Sequence, residues 1–358
     1  MRFFGDIISY RDEALGLLKQ LVALPSLSRE ESGTADLLAQ YISSKGLTVK
    51  RKGNNVWTED IQDTSFPVVL LNSHHDTVKP SDTWTRNPFE PRIEQGRLYG
   101  LGSNDAGASL VSLLMAYLHL IENKNRSYNL IFAATAEEEI TGAGGLPLIL
   151  EDLGPFDLAL VGEPTGMQMA IAEKGLMVLD CKVKGKTGHA ARNEGDNAIY
   201  KAMEDIQWFR NYQFPEQSSL LGPVKMTVSM VQAGYQHNIV PDLCSYVVDV
   251  RVNERYTNLQ ILDIIRDNVR YSEITPRSTH LKSSYISPDH PIVKRGLALG
   301  LSCFGSPTCS DQMRIPYPSL KIGPGDSARS HTADEYITLE EIEQGIELYI
   351  RLLDSFSL

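Results

Sequence analysis

Cysteine is scarce in this chain of 358 residues, and its four cysteines show no Cys-x-x-Cys spacing. We predict that Cys181, Cys244, Cys303 and Cys309 are free thiols in a reducing cytoplasm, because disulfide-dependent secreted chains carry a denser, regularly spaced set. Long apolar runs are also absent, so no membrane-spanning helix is expected. The first residues carry charges too early for the core of a signal peptide, and we expect a cytoplasmic protein.

Positively charged residues are also fewer than negatively charged ones, with 34 lysines and arginines against 45 aspartates and glutamates. The net charge of −11 at pH 7 argues against nucleic acids and anionic membranes as partners, since both are negatively charged. Internal repeats and low-complexity tracts are missing. Contents of 42% hydrophobic and 22% charged residues are ordinary for a globular protein, and 358 residues exceed the usual size of one core. The chain is therefore expected to form two domains.

Side chains that can bind metals follow four short apolar runs, each typical of a buried strand. The runs and the candidates behind them are Val68–Leu71 with His74 and Asp76, Leu130–Ala134 with Glu137–Glu139, Leu158–Val161 with Glu163, and Leu320–Ile322 with His331. A further acid, Asp105, follows a Gly-rich turn. Open α/β sheets bind ligands at the carboxyl ends of their strands. Two histidines and three carboxylates there suit two divalent cations that share one carboxylate.

The order of the predicted elements indicates a small domain inserted into a larger one. Helices and strands first alternate in a βαβ rhythm, which predicts an α/β domain with a mixed, mostly parallel sheet and helices on both faces. From about Gly175 the elements read β-α-β-β-α-β, the order of an α+β ferredoxin-like unit, with its last strand near 274–281. We assign residues 1–175 and 283–358 to the catalytic domain and 176–282 to the inserted domain.

Seven motifs, in order along nearly the whole chain, resemble those of one enzyme family. They are His74-His-Asp76, Leu98–Asp105, Glu137–Glu139, Val161–Thr165, Gly188-His-Ala190, Asn238–Pro241 and Gly323-Pro-Gly with His331-Thr332. The family comprises the dinuclear zinc amidohydrolases that include acetylornithine deacetylase, succinyl-diaminopimelate desuccinylase, aminoacylase and carboxypeptidase G. The resemblance implies a zinc exopeptidase-like fold and two divalent metal ions, with zinc as the expected metal and cobalt or manganese as alternatives.

The same resemblance assigns the metal ligands. It implies that His74 and Glu163 hold one metal ion, that Glu139 and His331 hold the other, and that Asp105 bridges the two. It also implies a cis peptide bond between Asp105 and Ala106.

Neighbours of these ligands have roles that their spacing suggests. His74 and Asp76 are two residues apart, so on a strand both face the same way, and Asp76 is expected to accept the second ring N–H of His74. His75 faces the other way and is expected to be packed. Glu138 is the predicted general base, which takes a proton from water held by the metals and passes it to the leaving amine. The alternative for Glu137–Glu139 is a negatively charged start of a helix.

The inserted domain supplies the remaining candidates. His189 resembles the family histidine that reaches across a dimer to the oxyanion of the partner's substrate, although a lone surface histidine is usually inert. Asn238 and Arg251 resemble the residues that hold the substrate carboxylate, for which a guanidinium is a natural partner. We therefore expect a homodimer through residues 176–282, built on an antiparallel sheet edge.

Two segments, Trp84–Phe89 and Arg97–Gly102, look most like acetylornithine deacetylases. The expected substrate is a small N-acylated amino acid, N-acetylornithine, cleaved to ornithine and acetate in arginine biosynthesis. N-succinylornithine, N-acetylcitrulline, succinyl-diaminopimelate and dipeptides remain alternatives, as do a mononuclear exopeptidase and an inactive binding or assembly protein of the same fold. Departures from the family pattern at Lys79, Ala106–Ala108 and Arg314 leave the ligands intact and affect only the prediction of the substrate.

Overall fold

The computed structural model describes residues 2–358, with side chains from Ile7 onwards. The chain forms two compact units. The larger contains the chain up to Ile171, Tyr285–Phe304 and Ser310–Leu358, and the smaller contains Ala172–Ser284 and Gly305–Cys309. From the sequence, this last segment is expected in the larger domain. It groups with the smaller unit because its backbone is close to that unit, where Lys174 N donates to Ser306 O at 3.1 Å.

Eight α-helices lie within the described residues, and most match the apolar periodicity of the sequence. Helix α3 has an almost entirely buried surface, as its small and apolar residues predict. Helix α8 begins with a capping box in which Thr338 and Glu341 satisfy each other's backbone N–H groups. The helices are α1 (Arg2–Val22), α2 (Ser32–Ser44), α3 (Ala108–Glu122), α4 (Leu146–Leu153), α5 (Ala198–Asn211), α6 (Asn258–Asn268), α7 (Pro291–Ala298) and α8 (Leu339–Leu353).

The strands are more numerous than the apolar runs indicate, because several are short and exposed. They are β1 (Lys50–Lys52), β2 (Asn55–Asp60), β3 (Val68–His74), β4 (Arg92–Glu94), β5 (Arg97–Tyr99), β6 (Asn129–Thr135), β7 (Leu158–Val161), β8 (Met169–Glu173), β9 (Gly175–Lys184), β10 (Gly188–His189), β11 (Lys225–Ala233), β12 (Ile239–Val240), β13 (Leu243–Val252), β14 (Ser272–Pro276), β15 (Ser284–Tyr285), β16 (Cys303–Ser306), β17 (Ser319–Lys321) and β18 (Tyr336–Thr338).

The main sheet of the larger unit runs in the order β1-β2-β6-β3-β7-β17-β8. Its centre is parallel: β3 pairs with β6 and β7, and β7 pairs with β17. Antiparallel pairs flank this centre, between β2 and β6 and between β17 and β8. The predicted mixed sheet is therefore confirmed. Because the central strands are parallel and in register, the residues that follow β3, β6 and β7 emerge at the same edge of the sheet.

A second, three-stranded sheet in the larger unit has the order β18-β5-β4. Its register pairs Tyr336 with Tyr99. The residues before β18 therefore lie beside the residues after β5, which contain the Gly-rich turn and Asp105.

The smaller unit is a four-stranded antiparallel sheet in the order β11-β13-β9-β14, with helices α5 and α6. This is the predicted ferredoxin-like arrangement. Alternate residues of β9 are buried, and Met177, Leu179, Cys181 and Val183 enter the core of this unit. Strand β14 ends at Pro276 rather than near 281, because the ladder to β9 ends at this proline.

Within residues 2–358 none of the four cysteines forms a disulfide bond, as predicted. Within residues 2–358, no helix combines the length and the apolar character needed to cross a membrane.

Candidate metal centre

The larger unit brings all five predicted metal ligands into one cluster. His74 Nε2 lies 3.3 Å from Asp105 Oδ1 and 3.7 Å from Glu163 Oε1. His331 Nε2 lies 2.9 Å from Glu139 Oε2 and 3.7 Å from Asp105 Oδ2. The two oxygens of Asp105 thus face different histidines. This is the arrangement that a carboxylate needs in order to bridge two cations.

The donor atoms are close enough to share cations. Those of His74, Glu138 and Glu163 lie within 4.8 Å of one another, and so do those of His74, Asp105 and Glu139. The predicted general base Glu138 therefore lies in the cluster, with Oε2 3.9 Å from His74 Nε2. Nitrogen and oxygen donors of this kind fit zinc, cobalt or manganese.

The electrostatics of the cluster also fit cations. Burial, together with the neighbouring carboxylates, raises the pKa values of Glu138 and Glu163 well above their ordinary range. Burial also raises the pKa of Glu139, although its hydrogen bond with His331 opposes this effect. Buried carboxylates at such short distances repel one another, and positive charge between them would relieve the repulsion. The residues present therefore fit a pair of divalent metal ions.

Asp76 does more than the predicted support of His74. His74 Nδ1 lies 3.0 Å from the backbone carbonyl of Asp76 and 3.4 Å from its Oδ1, so the nearer acceptor is the carbonyl. The Asp76 carboxylate also accepts hydrogen bonds from the backbone N–H groups of Glu138 at 3.1 Å and Glu139 at 3.2 Å. Ser28 Oγ donates to it at 2.7 Å. Asp76 therefore orients His74, Glu138 and Glu139 together.

His75 is packed away from the cluster, as predicted. Its Nδ1 lies 2.8 Å from Thr34 Oγ1, and its Nε2 lies 2.9 Å from the carbonyl oxygen of Asn54. Burial lowers its pKa, so the ring favours the neutral form. Both ring nitrogens are occupied, and His75 therefore has a structural role.

Glu137 stabilises the turn after β6. Its carboxylate accepts from Gly144 N at 3.1 Å, and its backbone N–H donates to Glu31 Oε1 at 3.2 Å. The triplet is therefore not the start of a helix: residues 137–145 form turns, and α4 begins only at Leu146.

The segment that carries Asp105 is a tight turn of the chain. Ser103–Gly107 forms a kinked turn directly after Gly102, which has a positive φ of 74°, and the backbone dihedral angles of Asp105 and Ala106 within it are not helical. A Cβ at Gly102 would lie 2.6 Å from Thr77 Cγ2, so this position requires glycine in both conformation and space. The peptide bond between Asp105 and Ala106 is cis, which confirms the expectation from the resemblance.

Two buried acids beside the cluster, Glu335 and Asp311, are not among the residues predicted from the sequence. The Glu335 carboxylate accepts from the backbone N–H groups of Gly102, Asn104 and Asp105, and burial raises its pKa to about 8. Asp311 Oδ2 accepts from Thr135 Oγ1 at 2.6 Å, and burial raises the pKa of Asp311 to about 6. In the sequence, Glu335 follows His331 by four residues, and Asp311 stands in the stretch Ser310-Asp311-Gln312.

The three candidates outside the larger unit lie on the smaller one. His189 is on β10, which pairs with β12, and Ala190 N donates to Asn238 O at 3.0 Å, so these two segments adjoin. Arg251, on β13, donates from Nε and Nη2 to Asp249 at 2.8 and 3.1 Å, and its Nη1 lies 3.4 Å from Cys309 Sγ. The guanidinium group of Arg251 therefore already binds the carboxylate of Asp249, which lies on the same strand.

The chain also matches a known protein family over most of its length. Residues 70–355 match the model of peptidase family M20/M25/M40. This chain belongs to that family. Together with the metal-binding cluster, membership identifies it as a metal-dependent hydrolase.

Curated relatives of the M20 chain extend over nearly its whole length. A peptidase M20 domain-containing protein of Schizosaccharomyces pombe is 29% identical over 96% of this chain and 84% of its own. The acetylornithine deacetylase of Proteus mirabilis is 26% identical over 96% of both chains. Succinyl-diaminopimelate desuccinylase 2 of a Ruegeria species is 24% identical over 95% of this chain and 94% of its own.

Solved structures share the M20 fold at lower identity. The aminopeptidase PepT of Bacillus cereus superposes with a TM-score of 0.77 at 17% identity, over 96% of this chain and 98% of its own. The YXEP protein of Bacillus subtilis, described as a dinuclear metal-binding peptidase, gives 0.73 at 15% identity, with the same coverage of both chains. These two similarities concern the fold alone.

Proposed function

We propose that this M20 hydrolase is a dinuclear zinc deacylase that cleaves the amide of an N-acylated amino acid. The proposed substrate is N-acetylornithine, which would give ornithine and acetate in arginine biosynthesis. The observation that carries the dinuclear centre is the position of Asp105, whose two carboxylate oxygens face His74 and His331 separately. The similarity to the acetylornithine deacetylase of Proteus mirabilis supports the substrate.

The metal ions would be held by the five residues of the cluster. His74 and Glu163 are proposed to bind one ion, Glu139 and His331 the other, and Asp105 both. When bound, two such cations supply Lewis acidity, which makes water a stronger nucleophile and the amide carbonyl a better acceptor. Zinc is the proposed metal because it accepts mixed nitrogen and oxygen ligands, and cobalt or manganese could replace it in vitro.

Glu138 is the proposed general base. Its side chain is almost fully buried within the cluster, and Asp76 fixes its backbone. Glu138 would accept a proton from water as the water oxygen attacks the carbonyl carbon of the amide. It would then deliver this proton to the amine nitrogen as the C–N bond breaks, which leaves a carboxylate and an amine.

The smaller unit is proposed to bind substrate and to form the dimer. We assign His189 to the oxyanion of the partner's substrate, and Asn238 to the substrate carboxylate. Arg251 keeps its proposed role in carboxylate binding, and its Nη1, which is not bound to Asp249, is the atom assigned to the substrate. The substrate role of Arg251 therefore depends on the same arginine serving two carboxylates.

Exposed apolar residues support the dimer. Strand β11 is at the edge of the four-stranded sheet, and Met230 and Val231 on it are exposed. Tyr200 and Met203 on α5 are exposed as well. An unpaired strand edge beside apolar side chains is a surface that a second copy can cover by extending the sheet across a two-fold axis.

A panel of substrates tests the proposed reaction. Metal-loaded protein would be assayed with N-acetylornithine, N-succinylornithine, N-acetylcitrulline, N-succinyl-diaminopimelate and a dipeptide, with the Glu138→Ala variant as the blank. We expect the highest kcat/KM for N-acetylornithine. A higher kcat/KM for N-succinyl-diaminopimelate would overturn this proposal and favour the substrate named for the Ruegeria relative. Metal binding without turnover of any compound would indicate a binding protein of the same fold.

A further inference from the structure

Glu335 makes an unusual set of contacts for a residue that lies outside the ligand set. Its side chain is buried at 2% exposure. Oε1 accepts hydrogen bonds from Asn104 N at 2.7 Å and Asp105 N at 2.9 Å, and Oε2 accepts one from Gly102 N at 3.0 Å. One carboxylate therefore holds three of the four backbone N–H groups from Gly102 to Asp105. Three hydrogen bonds from neighbouring backbone positions to one buried side chain restrain the turn.

The sheet register explains how Glu335 reaches this turn. Tyr336 pairs with Tyr99, and Gly100 N donates to the backbone oxygen of Glu335 at 3.0 Å. The backbone and the side chain of Glu335 thus bind the same stretch of chain. Glu335 also follows His331 by four residues, so a single short segment carries one proposed ligand and fixes the backbone of another.

We infer that Glu335 is a positioning residue for the metal centre. It holds the backbone of Asp105 so that one carboxylate oxygen faces His74 and the other faces His331. The neighbouring Asp334 provides a contrast, because its carboxylate accepts from Thr85 N at 3.0 Å and Arg86 N at 3.1 Å and so holds a different loop. Glu335 alone of this pair acts on Asp105.

Substitutions at Glu335 separate two of its properties, the number of acceptor oxygens and the length of the side chain. Glu335→Gln keeps the length but replaces one acceptor oxygen with an NH₂ group, which faces a backbone N–H and cannot accept its hydrogen bond. Glu335→Asp keeps both acceptor oxygens on a shorter side chain. Substitution of a purely structural residue would lower only the stability of the fold. Substitution of a positioning residue would also lower the affinity of the folded protein for metal.

Asp205 offers a matched control in the smaller unit. Its carboxylate is buried at 3% exposure and accepts from Arg270 N at 3.0 Å, Tyr271 N at 3.0 Å and Ser272 Oγ at 2.7 Å. Asp205→Asn therefore removes a buried acceptor with the same number of donors, in the unit that does not carry the metal ligands. It should lower the melting temperature without changing metal affinity.

The test is a titration of each metal-free protein with cobalt(II), followed by calorimetry and by the visible absorption of bound cobalt. We expect the parent to bind two ions and Glu335→Gln to bind them about 10–100-fold more weakly, as is typical when a group that orients a ligand is lost. Glu335→Asp should recover part of this affinity, and Asp205→Asn should match the parent. At saturating cobalt, kcat of Glu335→Gln should return to within a few-fold of the parent, because the ligands and Glu138 are unchanged.

The inference rests on the proposed dinuclear site, and the titration distinguishes the two. Failure of the parent to bind two ions would overturn the site itself. Parental affinity in Glu335→Gln, or an equal loss in Asp205→Asn, would overturn the positioning role and leave the site standing. If Glu335→Gln does not fold, Glu335→Asp is compared with Asp205→Asn by the same readout. Parental cobalt affinity in that variant then counts against the inference, and weakened affinity supports it.

Discussion

His331 Nε2 lies 2.9 Å from Oε2 of Glu139, although 192 residues separate the two in the chain. Glu139 follows strand β6 and His331 precedes strand β18, so the contact exists only when both sheets of the larger unit have formed. A nitrogen and a carboxylate oxygen at this distance can share a proton in the metal-free protein. In the metal-loaded protein the same two atoms are proposed to face one cation.

Removal of the metals should therefore destabilise the chain as well as inactivate it. Without cations, the carboxylates of Asp105, Glu138, Glu139 and Glu163 repel one another at short range. A ligand present at 1,000 times its Kd stabilises the folded state by about 4 kcal/mol. We expect a chelator to abolish turnover and to lower the melting temperature measured by calorimetry, and added zinc to reverse both. An unchanged melting temperature after verified removal of metal would contradict the prediction.

The pH dependence of stability should change sign with metal occupancy. In the metal-free protein, the hydrogen bond to Glu139 raises the pKa of His331 from 6.5 to about 9. The protonated ring then stabilises the fold fully below about pH 6.5, and this contribution is lost as the pH rises through about 9. Metal binding requires the neutral ring, so the metal-loaded protein should gain stability over the same window. Melting curves across this range measure both slopes, and His331→Ala should flatten each of them.

Loss of the proposed base should separate turnover from metal binding. Glu138→Ala should lower kcat by about 10²–10⁴-fold, because proton transfer is removed while the five ligands remain. Metal content, measured by plasma emission, should stay at two ions per chain. Glu137→Gln is the matched control, because its side chain holds Gly144 and keeps an acceptor oxygen for that contact. Activity of Glu138→Ala within a few-fold of the parent would assign the base to another group.

Asp76 should matter to metal affinity more than its distance from the ligands suggests. Its carboxylate binds the backbone of Glu138 and Glu139, and its carbonyl accepts from the ring of His74. Asp76→Asn should weaken metal binding by roughly 10–100-fold. His75→Gln, one residue earlier, should reduce stability and leave metal affinity unchanged, because the His75 ring nitrogens bond to Thr34 and Asn54 and not to a proposed ligand. Equal affinities of Asp76→Asn and the parent would refute the orienting role.

Mixed dimers test the proposed action of His189 in trans. Glu138→Ala and His189→Ala chains should each be inactive as homodimers. In a heterodimer, the Glu138→Ala chain can supply its intact His189 to the site of the His189→Ala chain. After random exchange, about a quarter of the parental activity should return, because half of the dimers are mixed and one of their two sites is intact. Subunit exchange without any recovery would exclude the trans arrangement.

Local patterns were sufficient to predict the sheet edge that carries the site. The apolar runs before His74, Glu137 and Glu163 became β3, β6 and β7, because buried parallel strands require continuous apolar residues. Short exposed strands such as β1 and β4 have no such run, and they were missed. Their pairing depends on a neighbouring strand rather than on their own composition.

The sequence by itself determined which residue types the site contains and in which order the strands deliver them. Only the tertiary structure decided what the acids next to the ligands, Asp76 and Glu335, bind. The contacts of Glu335 with the turn before Asp105, and of Asp76 with the backbone after β6, join segments that are distant in the chain. Spacing along one strand or helix cannot encode such contacts, because they arise from the register between separate strands. The physical reason is that a buried carboxylate must find donors, and packing alone decides which backbone N–H groups are within reach.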